Sequence, residues 1–398
     1  MKTMTSTKNG SRGTRLFLTG TFLLVSLLTA YPQWRRPVIS PEVQDDCSVI
    51  FRLYAPDAGS VKITGNWMPG WGHSVELARN DTGLYTIQTD PLPSEMYTYV
   101  FLVDGVRTID PGNVQIVRDG VRNESMFIVP GGQGDLYQVH DIPHGAVTKI
   151  WYDSPTLGMQ RRMYIYTPPG YHSGTDSYPV LYLLHGAGGD EDAWTTLGRT
   201  NYILDNLIAQ GKARPMMVVM TNGVPTSAAA PTDRPVDLEK TGIESGGPGG
   251  MVSGKFEESL VKDVIPFVES HFRVKTGPMS RAIAGLSMGG YHTQVITNKY
   301  PGMFKYIGVM SMGLYGDNRF GNYSREEHEK QIRALIASKP ELYWIGVGKE
   351  DFLYESVTNL RKFYDEMGLN YIYRETSGGH TWTNWRIYLS ELAPLLFR

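Results

Sequence analysis

Cysteine is almost absent from this chain of 398 residues, in which Cys47 stands alone. A single cysteine excludes an intrachain disulfide, so the fold has to rely on its packed core. An excess of one charge is lacking too, because 38 basic and 40 acidic side chains leave a formal net charge of -2. This balance argues against a nucleic-acid partner, since proteins that bind nucleic acids usually present a basic face.

Two common motifs of phosphate and metal chemistry are also missing. The sequence contains no G-x-x-x-x-G-K-[ST] pattern, which argues against a phosphate-binding loop. It contains no H-E-x-x-H pattern either, which argues against a zinc peptidase. We therefore expect no metal and no cofactor.

Apolar runs long enough to cross a membrane are absent as well. Leu16–Leu28 is the nearest candidate, and it is shorter than the roughly 20 residues that a membrane span requires. Basic residues precede this run and the small residues Thr29 and Ala30 follow it, which is typical of a signal peptide. We predict a signal peptide over residues 1–30, with an uncleaved anchor as the alternative, and no stable membrane insertion. Export without disulfides fits the bacterial periplasm or exterior.

Short strand-like segments separated by glycine and asparagine turn signals occupy residues 31–132. Apolar and polar residues alternate in them, which predicts β-strands with one buried face. The predicted strands are Ser48–Tyr54, Ser60–Ile63, Tyr85–Thr89 and Tyr97–Val103. This spacing predicts a small all-β sandwich. The glycines of Gly131–Gly134 predict a linker, which we place at residues 133–145.

The pattern changes in residues 146–398, where near-continuous apolar strands alternate with helical segments. Runs without alternation are typical of strands buried on both faces of a parallel sheet. Phe256–Phe272 carries apolar side chains at helical spacing and predicts one connecting helix. The predicted strands are Met163–Thr167, Val180–Leu184, Met216–Met220, Ala282–Ala284, Tyr306–Met310, Tyr343–Val347 and Tyr371–Tyr373. We predict a doubly wound, mostly parallel α/β sheet with its site at the carboxyl ends of the strands.

A serine motif, Gly285–Gly290, directly follows the predicted strand Ala282–Ala284. G-x-S-x-G at a turn from strand to helix is the nucleophile elbow of α/β-hydrolases, where small neighbours make room for a strained serine. Glycine and serine are also common turn residues, so the strand and helix around the motif are what favour this interpretation. We predict Ser287 as the nucleophile.

A serine hydroxyl needs a base that accepts its proton and a third group that orients the base. Three histidines follow Ser287 in the chain: His292, His328 and His380. His292 belongs to the helix expected after the elbow, and His328 stands in a charged run that predicts a solvated helix face. His380 follows a strand and two glycines, on a loop at the expected edge of the sheet. We therefore predict His380 as the base.

The predicted strand Tyr343–Val347 ends in a segment with two carboxylates, Glu350 and Asp351. Asp351 leaves the carboxyl end of the strand and lies between nucleophile and histidine in the chain, which is the order expected of the acid. Glu350 is the competitor, and either carboxylate could instead cap the following helix. We predict Asp351 as the acid that orients His380.

The tetrahedral intermediate of acyl transfer needs two backbone N–H donors. Met288, directly after the nucleophile, is one predicted donor, and the glycine-rich loop after the strand Val180–Leu184 is expected to supply the other. We assign that donor to Ala187, although such a loop can also be a plain turn. His185 and Gly186 in the same loop are candidate substrate contacts.

Five segments together resemble the esterase-D and feruloyl-esterase group of α/β-hydrolases, carbohydrate esterase family 1. These segments are Tyr182–Glu191, Phe256–His271, Ala282–Gly290, Gly348–Asp351 and Gly378–His380. The resemblance covers the chain from about Ile150 to its C-terminus. It implies a triad of Ser287, Asp351 and His380, hydrolysis through an acyl-enzyme, and feruloyl or acetyl groups on xylan as substrates.

The N-terminal region resembles the glycogen-binding-like modules of the immunoglobulin-like set, related to carbohydrate-binding family 48. The matching segments are Phe51–Pro56, Gly65–Trp67 and Val103–Gly112. This resemblance implies an immunoglobulin-like sandwich in front of the hydrolase. Trp67 and Trp71 could stack on a sugar ring, whose apolar C–H side suits an aromatic face. They could equally pack the core of the sandwich or its interface with the hydrolase.

The segment Asn222–Gly254 is rich in Gly, Pro, Ala and Ser and is long for a loop in a compact domain. Because it leaves the carboxyl end of a strand, we expect a lid or a wall of the acyl pocket, with a disordered insertion as the alternative. Asn222 at its start is a candidate substrate contact. Trp382 and Trp385, just after His380, are further candidates, and helix packing is their alternative.

These predictions favour a serine esterase that releases hydroxycinnamates such as ferulate from arabinoxylan. An acetyl-xylan or other small-acyl esterase is the alternative within the class, because acyl selection depends on pocket shape. A catalytically inactive glycan-binding protein is the alternative from another class, and it predicts a damaged triad. The expected partner is an acylated plant polysaccharide or oligosaccharide such as xylan; the sequence predicts no oligomeric state.

Overall fold

The computed structural model describes residues 38–69, 72–231, 233, 253–314 and 324–398. The predicted signal peptide, Trp71 and most of the 222–254 segment lie outside these residues. Within the described ranges, no helix is long and apolar enough to cross a membrane.

The N-terminal part of the described chain is built from antiparallel strands. They are β1 (Glu42–Val43), β2 (Val49–Tyr54), β3 (Val61–Gly65), β4 (Val75–Glu76), β5 (Ala78–Arg79), β6 (Leu84–Gln88), β7 (Glu95–Val103), β8 (Val106–Thr108), β9 (Ile116–Asp119) and β10 (Arg122–Val129). One sheet has the order β1-β2-β6-β5, and the other has the order β4-β3-β7-β10-β9 with β8 paired to β7. The predicted all-β character of this region is therefore confirmed.

The core of this all-β region follows from the alternation along its strands. In β2, the side chains of Val49, Phe51 and Leu53 are buried while those between them are only half-buried. Trp67 packs into the same core, with its ring stacked on Phe51 at 5.5 Å and edge-on to Phe127 at 5.6 Å between centroids. Of the roles considered for Trp67, these contacts correspond to packing in the core of the sandwich.

The C-terminal part of the chain forms an eight-stranded sheet with the order β11-β12-β14-β13-β15-β16-β17-β18. Its strands are β11 (Ala146–Ser154), β12 (Met159–Thr167), β13 (Val180–Leu184), β14 (Met217–Thr221), β15 (Arg281–Leu286), β16 (Tyr306–Met310), β17 (Leu342–Gly348) and β18 (Ile372–Thr376). The pairs β11·β12 and β12·β14 are antiparallel, and all the other pairs are parallel. The predicted mostly parallel α/β sheet is confirmed.

Both faces of this sheet are buried, which explains why its strands lack alternation in the sequence. Along β13, Val180, Tyr182 and Leu184 enter one hydrophobic core. Leu181 and Leu183, which point to the opposite face, enter the other core.

Helices cover the two faces of the sheet. They are α1 (Ala193–Thr196), α2 (Thr200–Ala209), α3 (Lys255–Ser259), α4 (Ile265–His271), α5 (Met288–Lys299), α6 (Arg325–Ala337), α7 (Tyr354–Met367) and α8 (Trp382–Leu392). The predicted helix Phe256–Phe272 is present as α3 and α4, but a π-helical turn at Leu260–Val264 lies between them.

The segment predicted as a linker is packed rather than free. Gly134–Tyr137 forms a short 3-10 helix, and the Tyr137 side chain is fully buried. Tyr137 shares a core with Met96 of the all-β region and with Leu389 of α8. A buried ion pair also joins the two regions, with Arg386 of α8 at 2.8 Å from Glu95 of β7. The glycines therefore permit a tight turn, and Tyr137 after this turn is anchored in the core shared by the two regions.

Candidate active site

Ser287 lies at the sharp turn between β15 and α5, as the elbow motif predicts. Its backbone has φ 52° and ψ -117°, a conformation that non-glycine residues rarely adopt. Two hydrogen bonds hold this turn: Ser287 N–H donates to Met310 O at 2.8 Å, and Tyr291 N–H donates to Ser287 O at 3.0 Å. The neighbouring strand β16 thus helps to keep the serine in its strained conformation.

The glycines around Ser287 are required by close contacts. A Cβ on Gly289 would lie 2.4 Å from the carbonyl oxygen of Leu184, and a Cβ on Gly285 would lie 2.3 Å from the Gly289 backbone. Both distances are far below normal van der Waals contact. The motif therefore allows α5 to start directly against the ends of β13 and β15.

His380 is held by Asp351, which the sequence predicts as its partner. His380 Nδ1 is 3.0 Å from Asp351 Oδ1 and 2.9 Å from Oδ2. Asp351 Oδ1 also accepts a hydrogen bond from Leu353 N–H at 2.9 Å, and Ser311 lies close enough to help lower the pKa of this carboxyl. Because an ionised carboxylate only accepts, Nδ1 carries the hydrogen and His380 Nε2 is left to accept a proton.

The surroundings of Asp351 keep it ionised. Burial by itself raises the pKa of this carboxyl, but the hydrogen bonds from His380 and Leu353 lower it more, so the pKa lies below the ordinary value. Glu350, the competing carboxylate, is exposed. Of the two carboxylates, the structure pairs Asp351 with His380.

Ser287 and His380 line the same cavity, whose volume is about 160 Å³. Most of the predicted site residues meet there. The residues lining the cavity are Asp119, Gly186, Ala187, Gly189, Leu286, Ser287, His380, Thr381, Trp382 and Trp385. Met288 is adjacent as the first residue of α5, with its side chain buried.

An aromatic wall backs this cavity. Trp385 meets the His380 ring edge to face at 5.0 Å, and Trp382 meets Trp385 in the same way at 5.1 Å. Trp382 in turn packs on Trp194 at 5.2 Å. Both tryptophans of α8 therefore line the cavity and pack against their neighbours at the same time.

Two predicted substrate contacts, His185 and Asn222, do not line this cavity. His185 is fully buried, with Nδ1 at 2.7 Å from Gly186 O and with Nε2 accepting from Gly223 N–H at 2.8 Å. Burial lowers the pKa of His185 to about 4, outweighing its hydrogen bond to Gly186. Asn222 is buried too and donates to Glu191 Oε2 at 3.1 Å. These side chains tie two loops together beneath the site instead of facing it.

The other two histidines after the elbow are both buried away from the cavity. His292 lies 2.6 Å from Glu257 Oε1. His328 was expected on a solvated helix face, and this expectation is wrong: its side chain is buried against the ring of Phe363, 4.5 Å away between centroids. The charged neighbours of His328 lie on the exposed side of α6. They give no indication in the sequence that the other side of this helix faces α7.

Two residues of the site were missed by sequence reasoning. Ser311 follows β16 and adopts a positive φ of 49°. Its hydroxyl accepts a hydrogen bond from Trp385 Nε1 at 3.0 Å, and it helps to lower the pKa of Asp351. Its place at the carboxyl end of a predicted strand was an available signal. Asp119 comes from β9 in the all-β region, and no local pattern indicates that this strand reaches the cavity.

Comparisons with known proteins identify the family and the fold. Residues 154–396 match the model of the Esterase family. An endo-1,4-beta-xylanase/feruloyl esterase of Xylanibacter ruminicola is 34% identical over 281 residues, which are 69% of this chain and 36% of that protein. An acetyl esterase of Caldicellulosiruptor saccharolyticus is 28% identical over 166 residues, or 34% of this chain and 61% of that protein. The chain thus spans less than two thirds of the length of these relatives.

Solved structures share the fold. The ferulic acid esterase AmCE1/Fae1A of Anaeromyces mucronatus superposes with a TM-score of 0.56 at 20% identity, over 72% of this chain and 97% of that chain. The enterobactin esterase FES of Shigella flexneri superposes with a TM-score of 0.58 at 16% identity, over 87% of this chain and 92% of that chain. Both likenesses bear on the α/β-hydrolase fold alone. The match over residues 154–396, on this fold, means that the chain belongs to the Esterase family.

Proposed function

We propose that this chain hydrolyses carboxylic esters through an acyl-enzyme on Ser287. Ser287 Oγ attacks the ester carbonyl while His380 Nε2 accepts its proton, and Asp351 stabilises the imidazolium that forms. The C–O bond to the alcohol then breaks, and His380 returns the proton to the leaving oxygen. In the second half, water attacks the acyl-enzyme while His380 accepts its proton, the acyl C–O bond to Ser287 Oγ breaks, and His380 returns the proton to Oγ as the acid leaves. The observation that carries the proposal is the cavity shared by Ser287 and His380, with His380 held on Asp351.

We assign the oxyanion donors to the backbone N–H groups of Met288 and Ala187. Met288 opens α5, and free N–H groups at a helix start favour a developing negative charge. Ala187 lines the cavity. The loop backbone runs close to the nucleophile, since a Cβ on Gly186 would lie 3.3 Å from Ser287 Cβ. These placements support two donors aimed at one oxygen.

For the substrate, the proposal is a hydroxycinnamate ester such as ferulate on arabinoxylan. The aromatic wall of Trp382 and Trp385 suits a planar acyl group, because aromatic rings pack well edge to face. The Xylanibacter ruminicola relative, whose name includes feruloyl esterase, supports this choice.

A small-acyl esterase, for example one acting on acetyl-xylan, is the second candidate. The cavity of about 160 Å³ is small beside the range of about 300–1,000 Å³ that is typical of pockets for larger ligands. The relative named acetyl esterase adds to this case. A catalytically inactive glycan-binding protein is the candidate of another class, and the intact pairing of His380 with Asp351 argues against it.

We also propose the domain organisation of the chain. Residues 31–132 would form an immunoglobulin-like module, residues 133–145 its connection, and residues 146–398 the esterase domain. Two antiparallel sheets around a common aromatic core support the module. Export to the periplasm or exterior, through residues 1–30, rests on the sequence pattern of that segment.

The test is the release of ferulate and of acetate from feruloylated and acetylated xylan fragments, followed by chromatography. Wild type, Ser287→Ala and the control Ser270→Ala, which changes an exposed serine, are compared. Ferulate release that is lost only in Ser287→Ala supports the mechanism and the acyl class. Acetate release alone supports the second candidate. Release of neither product by the wild type would contradict both, and tight xylan binding would then favour the glycan-binding alternative.

A further inference from the structure

The hairpin of β9 and β10 brings the all-β region to the active site. Its strands pair Asp119 with Arg122, so Gly120 and Val121 form a two-residue turn. This turn lies against the glycine-rich loop of the esterase region, because a Cβ on Gly120 would be 2.7 Å from Gly188 O. Only a glycine permits this approach. The tip of the hairpin therefore touches the loop that carries the proposed oxyanion donor.

An ion pair holds the hairpin in this position. Arg118 donates from both of its terminal nitrogens to Asp190, with Nη2 at 2.8 Å from Oδ1. Asp190 is buried, so its carboxylate depends on this partner for compensation. Arg118 also donates to Gly120 O at 2.8 Å, which couples the ion pair to the turn itself. The following residue, Asp119, is thereby held in position relative to the active site.

Asp119 lines the cavity together with Ser287 and His380. Asp119 lies at the rim with its carboxyl partly buried, and no residue in the described part of the chain donates a hydrogen bond to this carboxyl. Partial burial raises the pKa of Asp119, and the charge of Glu124 raises it further against the opposing effect of Arg122. A carboxylate with unused acceptor capacity thus faces the place where the substrate binds.

We propose that Asp119 determines specificity by accepting a hydrogen bond from a substrate hydroxyl at the rim of the cavity. The inference rests on the proposed esterase function and adds a residue from outside the esterase region to its site. An ionised carboxylate has acceptors and no donor, so it selects a hydroxyl over an ether or a hydrogen. On a feruloylated sugar, this hydroxyl belongs either to the phenol or to the sugar.

Three substrates distinguish these two sources. Methyl ferulate has the phenol hydroxyl and no sugar, methyl 3,4-dimethoxycinnamate has neither, and feruloylated arabinose has both. The value of kcat/KM is measured on each for wild type, Asp119→Ala, Asp119→Asn and the control Asp57→Asn, which changes an exposed carboxylate in a turn of the same region. Turnover by the wild type tests the proposed function separately from the role of Asp119.

Loss of one hydrogen bond to a charged group lowers kcat/KM about tenfold. If Asp119 binds the phenol hydroxyl, Asp119→Ala shows this loss on methyl ferulate and feruloylated arabinose but not on the dimethoxy ester. If Asp119 binds a sugar hydroxyl instead, the loss appears on feruloylated arabinose alone. In either case Asp119→Asn, which keeps an acceptor oxygen, recovers part of the activity, and Asp57→Asn stays within twofold of wild type.

An equal loss on all three esters, or no loss on any, overturns the proposal. Binding measured by calorimetry provides a readout that needs no turnover. Feruloylated arabinose should bind Ser287→Ala about tenfold more tightly than it binds the double variant Ser287→Ala/Asp119→Ala. Equal binding by the two variants refutes the role of Asp119 even if the wild type releases no ferulate.

Discussion

Replacing Asp351 by asparagine tests how the proposed triad is held. The orientation of the new side chain is decided by Leu353, whose N–H donates to Asp351 Oδ1 at 2.9 Å. The amide oxygen has to stay at this donor, so the amide NH2 takes the position of Oδ2, which is 2.9 Å from His380 Nδ1. Two donors cannot share that contact. The amide oxygen is still 3.0 Å from Nδ1 but is a weaker acceptor than a carboxylate, so the NH2 group favours the His380 tautomer with hydrogen on Nε2, which cannot accept the proton of Ser287.

We expect Asp351→Asn to lower kcat by a factor of about 10³–10⁴, the loss typical of a triad with the wrong tautomer. This factor corresponds to about 4–5.5 kcal/mol of activation free energy. KM should change little, because Asp351 is buried and does not line the cavity. The assay is steady-state hydrolysis of an activated phenyl ester, which requires no assumption about the natural substrate.

The matched control is Glu350→Gln, which alters the neighbouring exposed carboxylate and should leave kcat within twofold of wild type. A loss of less than about tenfold in Asp351→Asn, or an equal loss in Glu350→Gln, would refute the assignment.

The stability of the same variant is also measured as a function of pH. The pKa of Asp351 is lower in the folded protein than its ordinary 3.8, so the ionised form stabilises the fold above that pH. This contribution, absent in Asp351→Asn, is lost as pH falls through the folded pKa.

Three further predictions concern stability. Gly289→Ala should cost about 3 kcal/mol, because its Cβ would lie 2.4 Å from a backbone oxygen, and urea unfolding measures the loss. Arg386→Met leaves Glu95 buried without its partner and should cost about 3–5 kcal/mol, most of which Arg386→Met/Glu95→Gln should recover. Because burial lowers the pKa of His185 from 6.5 to about 4, wild type should lose about 3 kcal/mol more than His185→Gln as pH falls through that range, on top of the loss that buried His328 causes in both proteins.

Each of these predictions has a defined contrary outcome. A stability of Gly289→Ala within 0.5 kcal/mol of wild type, on the scale of ordinary surface changes, would mean that the elbow yields to the added methyl group. A loss below about 1 kcal/mol in Arg386→Met would place its ion pair among weak surface pairs. Parallel stability curves for wild type and His185→Gln between pH 4 and 7 would show that this histidine is not buried as a neutral group.

Much of the site was predictable because its signals are local or follow chain order. The elbow around Ser287 is recognisable from adjacent glycines and a preceding apolar strand. Asp351 and His380 follow later strands of a parallel sheet, and the carboxyl ends of such strands meet at one edge. Their observed hydrogen bonds agree with that expectation.

Other features were not predictable, since they depend on which way a side chain faces after the elements pack. His185 belongs to a glycine-rich loop and was predicted to contact substrate, yet it points into the interior and binds the Gly223 N–H. His328 was assigned to a solvated face because its neighbours are charged. A helix has both kinds of face, and only packing against α7 selects the buried one.

The sequence by itself determined the alternation of strands and helices, the buried parallel sheet and the serine turn, because hydrophobic periodicity and glycine sterics act over a few residues. Tertiary structure alone decided that Asp119, on a hairpin of another region, lines the cavity with Ser287. That contact depends on the Arg118–Asp190 ion pair and on the core shared between the two regions. Such long-range docking is a property of two folded surfaces, and no short stretch of sequence encodes it.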